Sequence, residues 1–102
     1  MDIITPEIVI CTLYKVYLER RMLGIGDEEA RYFGDADAVT LNYFSEPHTT
    51  QPSLKVGKEL TEAILSLGNS GHLTHDRVEY VGSFTENIRI TDRGINYAKV
   101  RC

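Results

Sequence analysis

Residues 87–99, NIRITDRGINYAK, predict a short strand, an abrupt turn and the first turns of a helix. Thr91 can end the strand and accept a hydrogen bond from the start of the helix, as N-cap residues do. Gly94 would then lie in the first helical turn, where glycine costs roughly 1 kcal/mol relative to alanine. We therefore predict that Gly94 permits a close backbone approach where the chain leaves the strand.

The residues before this segment predict the other strand of a β-hairpin. Apolar and polar residues alternate in RVEYVG, 77–82, and in NIRIT, 87–91, which is typical of strands with one buried face. The four residues between them, SFTE at 83–86, are expected to form the tip of the hairpin. The apolar face of the hairpin would carry Val78, Tyr80, Ile88 and Ile90.

The N-terminal part of the chain predicts a long helix. Thr5 can cap this helix, Pro6 fits its first position, and Gly24 would end it after about Leu23. Nearly all of the residues from Ile8 to Leu18 are apolar, and one narrow polar stripe runs along the helix: Thr12, Lys15 and Glu19. A helix that is apolar almost all round needs cover on most sides. Two alternatives fit this pattern equally well, a central helix in a monomer and a helix through which a homodimer forms.

The middle of the chain predicts shorter elements. Asp27 can cap a helix over 28–33, which Gly34 would end. Residues 38–44, AVTLNYF, fit either an alternating strand or a helix capped by Asp35, and we favour the helix.

A further helix is predicted after the polar loop 45–53. Ser53 can cap it, and it would run to about Leu67 before GNSG, 68–71, ends it. Helical spacing predicts a buried face made of Val56, Leu60, Ala63, Ile64 and Leu67. The same spacing predicts an outer stripe made of Lys55, Lys58, Glu59, Glu62 and Ser66.

Length and element order predict one domain over 1–102, of the α+β class and mostly helical. No apolar run approaches the roughly 20 residues that cross a bilayer, so no membrane partner is expected. The first ten residues, MDIITPEIVI, lack the basic region of a secretory signal, which favours the cytoplasm. The 15 acidic residues outnumber the 11 basic ones, which lowers the expectation of nucleic-acid binding without removing it.

The two cysteines have neither metal-binding nor redox spacing. Cys11 lies in an apolar helical run, where a buried thiol is expected. Cys102 is the last residue of the sequence, where an exposed thiol is expected. No functional disulfide is predicted, since a reducing compartment disfavours one.

No motif predicts catalysis, a cofactor or a metal site. His72, His75 and Asp76 are closely spaced, but they lead into a strand, and neither a cysteine nor a third histidine lies near them in the sequence. DADAVTLNYFSE, 35–46, faintly matches a calcium loop but lacks its obligatory glycine. GIGDEEA, 24–30, presents three acids where a glycine-rich loop would hold a phosphate. We therefore expect a protein that is not an enzyme.

The order of these elements resembles the winged-helix superfamily of small bacterial and archaeal regulators, such as the MarR-like and PadR-like groups. AILSLGNSGHL, 63–73, is similar to the end of a recognition helix and its exit into the wing. IRITDRGINYA, 88–98, is similar to the second wing strand and the helix that follows it. The resemblance covers about the C-terminal half. It implies a winged helix-turn-helix with a C-terminal two-stranded wing hairpin and a short final helix.

The resemblance also implies a function. In DNA-binding members of the superfamily the recognition helix enters the major groove, and the wing contacts phosphate or the minor groove. For this chain it implies a transcriptional regulator, expected to be a homodimer, that contacts duplex DNA through helix 53–67 and wing 77–91. The implied DNA-contacting residues are Ser53, Lys55, Lys58, Glu59, Glu62, Arg77 and Arg89.

The charge pattern of the outer stripe favours an alternative function. On the predicted helix 53–67, Glu59 and Glu62 offset the charges of Lys55 and Lys58. Carboxylates near phosphates mostly repel them. The alternative is a winged-helix protein-protein interaction module that binds no DNA.

Overall fold

The computed structural model describes residues 4–44, 54–79 and 83–102, with the side chains of all but 37, 41, 54–57, 77–79 and 83–84. The elements in chain order are α1 (Pro6–Met22), α2 (Asp27–Ala30), β1 (Tyr32–Gly34), α3 (Ala36–Val39), a π-helical turn (Thr40–Phe44), α4 (Leu54–Asn69), β2 (Leu73–Glu79), β3 (Ser83–Ile90) and α5 (Asp92–Arg101). The fold is α+β, mostly helical, with a small antiparallel sheet. Within the described ranges, no helix combines the length and apolar character that crossing a membrane requires.

Helix α1 begins and ends where its sequence predicts. The Thr5 hydroxyl accepts a hydrogen bond from the Ile8 amide at 3.2 Å, and Pro6 occupies the first helical position. Gly24 follows the helix with a φ of +87°, a left-handed conformation that commonly ends helices. The side chains that α1 buries are Val9, Ile10 and Leu13.

The prediction of a helix over 28–33 is confirmed only for residues 28–30. Helix α2 covers Asp27–Ala30, and the chain then extends into strand β1, where Phe33 is buried. Gly26 is the N-cap of α2, and it makes no side-chain capping bond, so Asp27 does not cap the helix. Strand β1 forms because it pairs with the distant strand β3, an interaction that local propensity does not contain.

The sheet has the strand order β1-β3-β2, with both pairings antiparallel. The predicted hairpin is present, but its strands are longer than predicted, because β2 begins at Leu73 and β3 begins at Ser83. Residues 83–86 therefore belong to a strand, and the prediction that they form the tip is wrong. Residues 80–82, which connect the strands, lie outside the described residues, as does the predicted apolar contact of Tyr80.

A β-bulge at Asn87 explains why the strand predicted at 87–91 is shorter than the observed strand β3. The register between β2 and β3 shifts between the Leu73↔Ile90 end and the Asp76↔Glu86 end. Asn87 lies at the shift with a φ of +55°, and asparagine tolerates this left-handed conformation better than most residues. Its side-chain amide donates to Asp76 Oδ2 at 2.8 Å, which joins the two strands across the irregularity.

The helix favoured for 38–44 is confirmed, as α3 and the π-helical turn. The Asp35 carboxylate accepts a hydrogen bond from the Ala38 amide at 2.7 Å, so the predicted cap forms. In the π-helical turn the Thr40 hydroxyl donates to the Ala36 carbonyl at 2.7 Å, which satisfies a buried polar group.

Helix α4 buries the predicted face, with Leu60, Ala63, Ile64 and Leu67 in the core. The predicted cap Ser53 and the side chain of Val56 lie outside the described residues. The helix ends in GNSG as predicted, two residues later than Leu67. The His72 amide bonds to the Leu67 carbonyl at 2.9 Å, and Gly71, with a φ of +81°, bonds to the Gly68 carbonyl at 3.2 Å, a Schellman arrangement.

Helix α5 confirms the predictions for Thr91 and Gly94. The Thr91 hydroxyl accepts a hydrogen bond from the Gly94 amide at 3.1 Å, which makes Thr91 the N-cap. A Cβ on Gly94 would overlap the carbonyl oxygen of His72 and lie 2.9 Å from Ile90 Cγ1. The glycine is therefore required by the close approach of α5 to the segment between α4 and β2.

The core is a single cluster of buried side chains to which all three strands and helices α1, α3, α4 and α5 contribute. Ile88 and Ile90 of β3 are buried in it as predicted. The Cα radius of gyration is 13.0 Å, the value expected for a folded chain of this length.

The prediction of two free thiols is wrong, because Cys11 of α1 and Cys102 after α5 form a disulfide. Their Cα atoms lie 5.8 Å apart. The packing of α5 against α1 brings the two residues together across 91 positions of sequence. Connectivity of this kind is set by the tertiary fold and has no local signal.

Candidate nucleic-acid interface

Six of the seven residues implied as DNA contacts belong to two elements, helix α4 and the β2–β3 hairpin that follows it. Ser53 lies outside the described residues, as do the side chains of Lys55 and Arg77. The other four are described: Lys58, Glu59, Glu62 and Arg89.

Lys58 and Glu62 are exposed on the outer side of α4, one helical turn apart. This placement follows from the 3.6-residue period, because the opposite face of the helix carries the apolar residues that enter the core. The pair presents one positive and one negative charge to a ligand. The sequence prediction that these two side chains face outward is confirmed.

Glu59 is tied to the N-terminal segment. Its Oε2 atom accepts a hydrogen bond from the Ile4 amide at 3.2 Å, and Ile4 is itself buried. This bond holds the chain before α1 against α4 and leaves a shallow groove of about 360 Å³ between them. The lining residues of this groove are Ile4, Pro6, Glu59, Glu62 and Ala63. The contact gives Glu59 a role in the fold that its spacing alone did not predict.

Arg89 lies in the inner half of the hairpin, near α2. It is paired with Tyr32 of β1 on one side and Thr74 of β2 on the other, and its guanidinium forms an ion pair with Glu28. Arg77 lies further out, where its backbone pairs with Thr85. The hairpin therefore separates these two arginines along its length.

A polar network that sequence reasoning missed joins α1, α2 and α5. The Tyr17 hydroxyl donates to Asp27 Oδ1 at 2.6 Å, and Arg31 Nε donates to Asp27 Oδ2 at 2.8 Å. A second guanidinium nitrogen of Arg31 reaches Asp92 Oδ1 at 2.7 Å. The only local signal for this network is the four-residue spacing of Asp27 and Arg31.

The network shifts the pKa values of its members. The hydrogen bond from Tyr17 holds the pKa of the Asp27 carboxyl below its usual value, and burial partly opposes this effect. The same bond raises the pKa of the Tyr17 hydroxyl. For Arg31, burial disfavours the charged form, but hydrogen bonds to Asp92 and Asp27 outweigh burial and raise the pKa. Because each shift favours the form that bonds, the network stabilises the fold.

The two histidines that lie near each other in sequence have separate environments. His72 Nδ1 lies 2.6 Å from the Ser70 hydroxyl, and its ring packs edge-on against Tyr97. The His75 ring lies against the backbone of Gly68 in α4. Among the described residues, no group of three or more histidine, cysteine or acidic side chains is placed to hold a metal ion.

A second exposed surface runs along the outer side of α1. Ile8 and Leu18 are 40% and 41% exposed, and Met22 is 87% exposed, so this side of α1 presents several large apolar side chains to solvent. Between them a groove of about 400 Å³ contains the disulfide. The lining residues of this groove are Cys11, Thr12, Tyr14, Lys15, Leu18 and Cys102.

Comparison of the chain with protein-family models, with curated proteins and with solved structures found no match.

Proposed function

We propose that this chain is a small winged-helix DNA-binding protein that acts as a transcriptional regulator and works as a homodimer. One observation carries the proposal: an exposed face of α4 leads through a tight turn directly into the β2–β3 hairpin. This is the order in which winged-helix proteins join a recognition helix to a wing. The proposal is therefore an analogy drawn from the arrangement of these elements.

The position of β1 adds support to the winged-helix interpretation. Strand β1 lies between the first and the later helices in sequence, yet it pairs with β3 at the edge of the sheet. In this way the inner end of the hairpin is anchored to the helical body. An anchored hairpin is what a wing requires.

In the proposed complex α4 enters the major groove, and Lys58 neutralises a backbone phosphate. Lys55 and Arg77 are proposed as further phosphate contacts, because they lie near the start of α4 and in the outer half of the hairpin. Phosphate contacts of this kind position a protein on DNA, while base edges provide specificity. Glu59 and Arg89 have partners within the chain, Ile4 and Glu28, and we assign them to the fold rather than to DNA.

The homodimer is proposed to form through α1, whose exposed apolar residues Ile8, Leu18 and Met22 lie away from the core. A dimer would place two copies of α4 on one duplex, as two half-sites require.

A cytoplasmic location remains a prediction. The disulfide is typical of oxidising compartments and of intracellular proteins from hyperthermophiles.

The alternative function is a protein-interaction module, and one observation favours it. On the described outer side of α4, Lys58 is offset by Glu62, so this surface has no net positive charge. An interaction module would use the same face for a protein partner.

Electrophoretic mobility shift on a random-sequence 30-base-pair duplex tests the proposal. We expect binding at 25 mM salt that weakens steeply at 200 mM salt, because released counterions drive non-specific binding. The absence of any shift at 25 mM salt would overturn DNA binding in favour of the interaction module.

Matched substitutions on α4 and α5 locate the interface. Lys58→Gln is expected to weaken binding and to reduce the salt dependence by about one phosphate contact. Glu62→Gln, which removes a repelling charge, is expected to strengthen binding. Lys99→Gln, an exposed lysine of α5, serves as the control and is expected to leave binding unchanged.

A further inference from the structure

We infer that the outer face of α1 is a self-complementary surface on which a second copy of this chain docks with its α1 antiparallel. This inference rests on the homodimer of the proposed function and adds the orientation and the contacts of the two copies. It depends on the spacing, the charges and the shape of one helix face, which we define as Ile8, Cys11, Thr12, Lys15, Leu18, Glu19 and Met22.

The spacing of this face is that of a helix seam. Ile8, Cys11, Lys15, Leu18 and Met22 follow one another at intervals of three and four residues, so they form a single stripe along α1. The stripe lies opposite the buried residues Val9 and Leu13, in accordance with the 100° turn of each helical residue. Apart from Lys15 the stripe is apolar, and a stripe with this period is the kind of surface that pairs with another helix.

The charges of this face complement each other only in the antiparallel orientation. Lys15 and Glu19 lie near its centre, both are exposed, and neither forms an ion pair within the described part of the chain. When two copies of α1 run antiparallel with position 15 facing position 19, two lysine–glutamate pairs form about the two-fold axis. A parallel pair would instead place lysine against lysine and glutamate against glutamate, which is unfavourable.

The same register also matches the apolar residues. It places Met22 of one copy beside Cys11 and Thr12 of the other, where the disulfide and Thr12 line the groove. It places Leu18 of each copy against the aliphatic stem of Lys15 from the other copy. The exposed Met22 side chain, which has a flexible and polarisable thioether, can adapt to such a groove.

Charge reversal tests this orientation. We expect wild-type protein to sediment as a dimer, and Lys15→Glu and Glu19→Lys alone to dimerise at least about tenfold more weakly, because each creates two like-charge contacts. An equimolar mixture of the two variants is expected to form a heterodimer of wild-type affinity, and so is the double variant Lys15→Glu/Glu19→Lys. Mixing cannot change interactions within one helix, so recovery on mixing reports contact between copies.

Controls off the face separate this surface from a general charge effect. Lys58→Glu and Glu29→Lys, both exposed and on other helices, are expected to leave dimerisation unchanged. Met22→Ala is expected to weaken the dimer several-fold without changing the unfolding of the monomer. Leu23→Ala changes an equally exposed residue that lies to one side of the face and is expected to have no effect.

The outcomes of these experiments distinguish the antiparallel pairing from the homodimer on which it rests. A wild-type monomer at high concentration would overturn both the homodimer and its antiparallel pairing. A wild-type dimer that both single charge reversals leave intact, or that mixing fails to restore, would overturn the pairing and leave the homodimer standing. DNA binding is measured separately, so its failure would affect neither result.

Discussion

Gly94 of α5 packs directly against the carbonyl oxygen of His72, in the segment that joins α4 to β2. The same carbonyl accepts a hydrogen bond from the Thr91 amide at 3.2 Å, and the Thr91 hydroxyl donates to the Gly71 carbonyl at 2.7 Å. The start of α5 is thus joined to the exit of α4 by backbone contacts. This junction fixes the position of the last helix relative to the proposed recognition helix.

Substitution of Gly94 should destabilise the protein. Gly94→Ala places a Cβ against a backbone oxygen that cannot move without breaking the bond to Thr91, so we expect a net loss of about 1–2 kcal/mol. A bulkier residue, as in Gly94→Leu, should cost more. Chemical denaturation measures both, with Gly26→Ala as a control, since a Cβ at Gly26 meets nothing within 4 Å. Equal unfolding free energies for wild type and Gly94→Ala would contradict the role of this contact.

The Thr91 hydroxyl makes two hydrogen bonds at this junction. Thr91→Ala removes the bond to the Gly94 amide and the bond to the Gly71 carbonyl, so we expect a loss of about 1–2 kcal/mol in the free energy of unfolding. Thr91→Ser keeps the hydroxyl and should retain most of the stability. If the alanine and serine variants unfold at the same denaturant concentration, the hydroxyl does not contribute as described.

The disulfide between Cys11 and Cys102 should make a large contribution to stability. A cross-link that closes a loop of this length removes chain entropy worth roughly 4–5 kcal/mol from the unfolded state in the simplest treatment. We expect a strong reductant to lower the melting temperature of wild-type protein, and Cys11→Ser/Cys102→Ser to melt at that lower temperature in either condition. The variant is the control for effects of the reductant itself. An unchanged melting temperature of wild-type protein after complete reduction would contradict this prediction.

The helix ends were predictable from sequence because capping is local. Thr5 and Thr91 each lie three residues before the amide that they cap, and a cap of this kind needs only the neighbouring residues. The buried face of α4 was predictable for the same reason, since helical period alone decides which side chains share a face. The same period predicts that Lys58 and Glu62 face outward, and both are exposed.

The features that were missed depend on residues far apart in the chain. Strand β1 exists through its pairing with β3, and Glu59 bonds to Ile4 across 55 positions. The bulge at Asn87 interrupted the alternation that defines a strand, so the predicted strand began where the bulge lies. For the candidate interface, the sequence predicted that Lys58 and Glu62 are exposed but not that Arg89 has an internal ion-pair partner.

The network around Asp27 should give stability a defined dependence on pH. The pKa of Asp27 is lowered in the fold, so its contribution is present above the unfolded value, about 3.9, and is lost as the pH falls through the folded pKa. The pKa of Tyr17 is raised, so its contribution is present below about 10 and is lost as the pH rises through the folded pKa. Both effects favour maximal stability between these limits.

Asp27→Asn tests the acid side of this dependence. We expect the variant to be less stable than wild type at pH 7, because an amide replaces the carboxylate that accepts hydrogen bonds from Tyr17 and Arg31. The difference should shrink as the pH falls below about 3.9, because the carboxylate is then protonated first in the unfolded chain and, at lower pH, in the fold. Denaturant unfolding at pH 7, 5 and 3 measures this, with Glu29→Gln in the same short helix as the control. A difference between wild type and Asp27→Asn that stays constant from pH 7 to pH 3 would show that the charge of Asp27 does not stabilise the fold.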